Sequence, residues 1–214
     1  NKKDMIILVQ NKALELSLFL SLPASVGLLI GSEQIISALF GYGSFNEVSV
    51  LNSAKALYYF ALGLPAFALI KVFSTFFFAN QDTKTPFYIS LISVMVNIII
   101  SISYFNKIGF IIIPIATTIS SWFNSLILFI FLKNKNLFNF NKIFLSRFIK
   151  IIFASLLMGI FFNFLLIYFQ NQLAFSQNLK SFYLIFSVIL SLLFYLLVSY
   201  MIKAFKMSDI NLKY

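Results

Sequence analysis

The sequence predicts an all-α polytopic membrane protein with six transmembrane helices. Three observations carry that expectation. The chain of 214 residues is 61% hydrophobic and only 10% charged, with a mean hydropathy of +0.96. So few charged side chains cannot cover a soluble domain of this size. Apolar runs of roughly 20 residues, the length that crosses the hydrocarbon core, recur along the chain with short polar gaps between them. Finally, Lys and Arg are distributed unevenly between alternate gaps, as the positive-inside rule requires of a multispan protein.

The runs fall at 13–30, 54–79, 87–105, 109–132, 148–169 and 182–202. The first contains Pro23 and the second contains Pro65 next to Gly63; both prolines remove an intrahelical hydrogen bond and predict kinks, and the three residues are candidate hinges. Pro86 fits the first turn of the third helix, with Thr85 before it as the cap. Glu15 reads as an early-helix charge that complements the helix dipole. The segment 31–53 contains the apolar stretch Ile35–Phe40, too short to span, and predicts a re-entrant or interfacial turn. Gly41-Tyr42-Gly43 within it matches part of a potassium-channel filter, but Leu39 and Phe40 precede it, and a simple turn explains it better.

Twelve Lys and Arg residues lie on one side of the predicted spans, against Lys55, Lys107 and Lys180 on the other. That asymmetry places both termini in the cytoplasm, with the basic loop at 133–147 as the firmest anchor. In a membrane chain the net charge of +10 reflects such loops, and no nucleic-acid partner is expected. Residues 1–132 are expected to form four spans of a transport lobe, and residues 148–214 two further helices with a cytoplasmic tail. The chain begins with Asn1 inside a charged segment and reads as the carboxy-terminal piece of a longer protein.

The chain contains neither Cys nor His, which removes thiolate and imidazole chemistry, and no carboxylate pair or phosphate loop is visible. An enzyme is not expected, nor is a metal or cofactor. The polar residues inside the spans are therefore the candidates for function. Lys71 is the only charge deep in a span, where it costs roughly 2.5–3.5 kcal/mol on insertion scales; it faces a cavity or partner, or snorkels to the surface. Ser90, Ser93, Asn97 and Ser101 share one face of the third helix, and Thr117, Ser120, Ser121, Asn124 and Ser125 share one face of the fourth. Packing between helices explains such stripes, and so does the wall of a wet cavity. On the second reading Lys71, Asn97 and Asn124 line a substrate cavity. The fifth and sixth helices are greasier, and Phe161, Leu165 and Val188 are candidates for a groove that takes a hydrocarbon tail.

Between the second and third spans lies Asn80-Gln81-Asp82-Thr83-Lys84-Thr85-Pro86, in which Asp82, Lys84, Thr85 and Pro86 are expected to form a tight cytoplasmic turn. This block, with Lys71-Val72, Gly63-Leu64-Pro65-Ala66-Phe67, Leu39–Phe45 and the run around Leu22-Pro23-Ala24-Ser25, resembles the lipid II flippase family MurJ, also called MviN. The order and spacing match along most of the chain, while the last two spans match in hydropathy alone. The resemblance implies the carboxy-terminal part, spans nine to fourteen, of a fourteen-span exporter of the multidrug/oligosaccharidyl-lipid/polysaccharide superfamily. It implies alternating access in the bacterial cytoplasmic (inner) membrane. The substrate would be the undecaprenyl-pyrophosphate-linked peptidoglycan precursor, and the other partners membrane lipids and an amino-terminal lobe of the same protein. It also implies that the last two helices hold the lipid tail. The competing readings are another exporter of that superfamily, for polysaccharide-lipid or drugs, and a membrane assembly subunit without transport.

Overall fold

The computed structural model describes residues 2–204, with side chains from residue 5 onward. The tail expected beyond residue 204 lies outside the described residues. The elements among them are α1 (Lys2–Phe40), α2 (Glu47–Ala79), α3 (Lys84–Ile108), a 3₁₀ turn (Gly109–Ile111), α4 (Ile112–Asn134), α5 (Lys142–Tyr168) and α6 (Lys180–Met201). Among the described residues, five segments are long and apolar enough to cross a membrane, and one of them, Lys84–Asn134, contains both α3 and α4.

The helices run beyond the apolar windows that predict them. No helix is interrupted at Pro23 or Pro65; each proline lies inside a continuous helix. The re-entrant turn expected over 31–53 is absent. Instead α1 continues to Phe40, the turn shrinks to the residues before Glu47, and α2 begins there. Hydropathy marks only the part of a helix that lipid would cover, whereas the backbone has no proline in 31–40 to stop it. For the same reason α5 starts at Lys142, inside the expected basic loop 133–147.

α3 and α4 are separated by one glycine conformation. Gly109 has φ 74° and ψ −155°, and its N–H bonds the Phe105 carbonyl. A side chain is disfavoured at that φ, so the chain turns here and the apolar run divides. Asn97 reaches Thr117 and Ser120, while the earlier Ser90 meets the later Asn124, so the two helices are antiparallel.

The contacts fall into two compact units. One comprises, among the described residues, 2–21 and 62–149. Its centre is aromatic: Phe73 and Phe138 each contact Phe76, Phe129 and one another, with Phe76 stacked on Phe138 at 5.7 Å. The other comprises, among the described residues, 22–61 and 150–204. There Gly159 allows α5 to approach α1: a Cβ on it would lie 2.5 Å from Val26 and 2.9 Å from Ile30. Close approach through small residues is how helices associate where lipid is as apolar as leucine.

The helix faces are inverted relative to a soluble protein. On α6 the buried residues include Ser187, Ser191 and Ser199, whereas Phe182, Ile185, Ile189, Leu192, Leu193 and Leu196 are exposed. On α4, Ser120, Ser121, Asn124 and Ser125 are buried, while Ile119, Leu126 and Ile130 are exposed. An outward apolar surface with hydroxyls turned inward suits a hydrocarbon solvent.

Candidate functional site

The turn between α2 and α3 is built by one residue that serves both helices. The Asp82 N–H bonds the Phe77 carbonyl at 3.0 Å and the Gln81 N–H bonds the Phe78 carbonyl at 2.9 Å, with Gln81 at φ 59°. That pattern is a Schellman stop for α2. The Asp82 carboxylate then starts α3: Oδ1 accepts the Thr85 N–H at 3.0 Å and Oδ2 accepts the Thr85 hydroxyl at 2.7 Å. Asp82 is therefore the cap, and Thr85 is its donor, which corrects the expectation that Thr85 caps the helix. The acceptor must lie three residues before the N–H it satisfies, which Asp82 does for Thr85. Pro86 is buried in the first turn, as its missing N–H allows.

The charge partner of Asp82 is also not Lys84, two residues on, which is exposed. It is Lys135, at the end of α4, whose Nζ lies 2.6 Å from Oδ2 and 3.1 Å from the Thr85 hydroxyl. The Lys135 ammonium, followed by the Thr85 N–H and hydroxyl, holds the Asp82 carboxyl down at about 2, well below the usual carboxylate range. The same unit holds a second ion pair, Glu15 with Arg147 at 2.8 Å, both largely buried. Glu15 is thus a partner of α5 and not a first-turn dipole charge, since α1 begins well before it. Gln10 and Asn11 of α1 add hydrogen bonds to the 137–141 segment.

The polar stripes of α3 and α4 meet each other. Asn97 Nδ2 donates to the Thr117 hydroxyl at 3.0 Å and to the Ser120 hydroxyl at 3.3 Å. Asn124 Nδ2 reaches the Ser90 hydroxyl at a long 3.5 Å, and its Oδ1 is buried without a hydrogen-bond partner. Asn97 and Asn124 are therefore brought together on one helix–helix seam, as the packing reading requires. Lys71 is not brought to that seam; its side chain is exposed on α2, and no partner for its ammonium is found among the described residues. It belongs to the surface that this chain leaves open.

Of the candidate hinges, Pro65 has a visible consequence. It cannot donate to the Ala61 carbonyl four residues before it, and the Ser25 hydroxyl does so instead at 2.6 Å. The neighbouring Leu62 carbonyl accepts the Trp122 indole N–H at 3.0 Å. Gly63 permits close packing: a Cβ there would lie 2.9 Å from the Thr118 hydroxyl. Among the groove candidates, Leu165 is buried and so faces protein, Phe161 stacks on Phe194 at 4.5 Å, and Val188 is exposed.

A feature that sequence reasoning passed over is Lys180. It is 1% exposed, and its ammonium donates to the carbonyls of Gly41 at 2.6 Å and Phe175 at 2.8 Å. The rings of Tyr42 and Phe175 lie 4.4 and 4.5 Å from it. Ser181 donates to the Ala38 carbonyl and bonds the Tyr42 hydroxyl. The Gly41-Tyr42-Gly43 turn is thus a docking point for the start of α6, and its Gly41 carbonyl binds the chain's own lysine. The position of Lys180 beside the first turn of α6 offered no signal, because nothing in the sequence links it to residue 41.

The profile of the family described as "Lipid II flippase MurJ" matches residues 1–185. The chain belongs to the MurJ family. A "Probable lipid II flippase MurJ" of Thermotoga maritima is 35% identical over 194 residues, covering 91% of this chain and 37% of that protein. One from Rickettsia prowazekii is 40% identical over 116 residues, covering 54% of this chain and 23% of that protein. A solved structure, "Lipid II flippase MurJ, inward closed conformation", superposes with a TM-score of 0.74 at 30% identity over 92% of this chain and 39% of that one. The chain thus spans well under half the length of the MurJ proteins it matches.

Proposed function

We propose that this chain is the carboxy-terminal part, six of fourteen spans, of an exporter that moves lipid II from the inner to the outer leaflet. Lipid II is the undecaprenyl-pyrophosphate-linked peptidoglycan precursor. The observation that carries this reading is the MurJ family match, which extends over 185 residues of the chain. Counting α3 and α4 separately supports a sixth span: helices of 25 and 23 residues, at about 1.5 Å per residue, are each long enough to cross the hydrocarbon core. The Lys and Arg asymmetry supports an inner-membrane orientation with both ends of the chain cytoplasmic, and the Asp82–Pro86 turn on that side.

Transport of such a molecule needs a polar route for its pyrophosphate and a greasy one for its tail, since an unpaired anion in hydrocarbon is prohibitive. Exposed Lys71 on α2 supplies a cation for an amino-terminal lobe or the pyrophosphate, and Asn97 and Asn124 supply polar groups in the α3–α4 hairpin. The outward aliphatic faces of α5 and α6, where Val188 is exposed, supply the tail route. Pro23, Gly63 and Pro65, each inside a continuous helix here, are the hinge positions at which the helices flex during transport.

Complementation of a flippase-depleted strain by the full-length protein tests the reading. Lys71→Met should impair growth while the protein accumulates normally in the membrane. Full complementation by Lys71→Met and Lys71→Ala alike removes the lysine from the transport route.

A further inference from the structure

A cavity of about 330 Å³ lies within the second unit, bounded by the end of α1, the start of α2, and the segment after α5. Glu33 and Glu47 line it. In a chain of net charge +10, the other acidic side chains that the structure describes are neutralised: Asp82 by Lys135 and Glu15 by Arg147. Neither Glu33 nor Glu47 has a basic partner among the described residues. Lys180 touches the same wall through the Phe175 carbonyl, but its ammonium is committed to Gly41 and Phe175 and pairs with neither glutamate.

A second observation points to a ligand. Ser37, which is 6% exposed, lines the cavity, and its hydroxyl has no hydrogen-bond partner. Gln34 lines it too, and its Oε1 is buried in the same unpartnered state. Buried polar groups in folded proteins are almost always satisfied, so two on one wall mark a place where something else bonds.

From these residues we infer that the cavity binds a small organic cation, an ammonium group carrying a short aliphatic chain. The two carboxylates supply the charge, while Ser37 and Gln34 supply further acceptors. Both carboxylates are exposed and water solvates them; a bound cation adds the opposite charge that water does not supply. A bare metal ion would leave most of the volume empty, given that a water occupies about 30 Å³ of liquid, and no group of three acidic ligands is present among the described residues. The rest of the wall, apart from Gln170, is apolar, and Val50, Leu51, Leu166 and Leu173 fit a carbon skeleton. This site stands independently of the flippase reading.

The test is saturation-transfer NMR on the full-length protein in detergent micelles, with n-butylammonium as the probe and n-butanol as its neutral counterpart. Saturable binding of n-butylammonium is expected, with n-butanol at least tenfold weaker. The double substitution Glu33→Gln, Glu47→Gln should weaken n-butylammonium at least tenfold, and Ser37→Ala severalfold. Both glutamates are exposed and glutamine keeps their size, so folding should persist; the wild-type titration decides the matter even where it does not. No saturable binding, equal binding of n-butanol, or displacement by equimolar Mg²⁺ overturns the assignment.

Discussion

Two turns in this molecule are each held by a distant lysine, and they are held differently. At the α2–α3 turn, Lys135 meets the carboxylate of Asp82, with the two side chains 44% and 21% exposed. At the α1–α2 turn, Lys180 is buried and meets no carboxylate, only two carbonyls and two aromatic faces. The first arrangement pairs charges that water already solvates, so its net worth is about 0–1 kcal/mol. The second removes an ammonium from water and substitutes oriented dipoles and π faces. Its removal leaves acceptors stranded inside protein, which costs far more than the loss of a surface pair. Charge complementarity is thus a poor guide to which lysine matters; burial decides it.

The largest effect is expected at the buried turn. Lys180→Met keeps most of the side-chain volume but orphans the Gly41 and Phe175 carbonyls, at about 1–3 kcal/mol for each stranded group. Thermal unfolding of the full-length protein should show a clear loss of stability, with increased proteolysis at residues 41–46. A change below about 0.5 kcal/mol would mean that water replaces the ammonium without difficulty.

At the Asp82 turn the effects should be smaller and ordered by role. Asp82→Ala loses both the cap and the ion pair, about 1–2 kcal/mol together. Thr85→Ala loses only a hydroxyl contact and keeps the N–H that Asp82 caps, so it should cost less than half as much. Equal losses for the two substitutions would return the capping role to Thr85.

The same turn gives a pH dependence of known sign. Asp82 has a carboxyl depressed to about 2 against an ordinary value of 3.8. Its contribution is fully present above the ordinary value and is lost as the pH falls through about 2. Stability of the wild type relative to Asp82→Asn should therefore be constant from pH 7 to about 5 and shrink between about pH 4 and 2. A difference that persists unchanged at pH 2 would show that the carboxylate charge contributes nothing.

The smallest expected effect is a gain. Gln81 holds φ 59° without being glycine. Gln81→Gly should relieve the left-handed strain, offset in part by the greater freedom of glycine when unfolded, for a net stabilisation of about 0.5 kcal/mol. A destabilisation measured by chemical unfolding would mean that the glutamine side chain makes a contact worth more than the strain.

Much of this architecture was legible in the sequence, for reasons that differ by element. The apolar windows located every helix, because crossing hydrocarbon is a local demand that each segment meets alone. The Asp82–Pro86 block located its turn because proline and a capping acid act within a few residues. The stripes on α3 and α4 were visible as helical spacing, and their mutual contact followed once Gly109 turned the chain back. Three helix stops were not legible: Gln81, Asn136 and Lys203 all take positive φ, and none is the glycine that would announce it. The extension of α1 to Phe40 was not legible, because the apolar stretch Ile35–Phe40 is too short to span by itself and hydropathy does not show that the helix before it continues.

By itself, then, the sequence determined the membrane class, the number of apolar runs and the family, since hydropathy and short motifs depend only on neighbours along the chain. Tertiary structure alone decided which charges pair and which stay unpaired. Asp82 chose Lys135 over the nearby Lys84, Glu15 chose Arg147, and Lys180 chose carbonyls over carboxylates. Such choices depend on which helix faces meet, and residues 53, 132 and 139 positions apart become neighbours only when they do. The cavity that leaves Glu33 and Glu47 without partners is set in the same way, by what the fold keeps away from them.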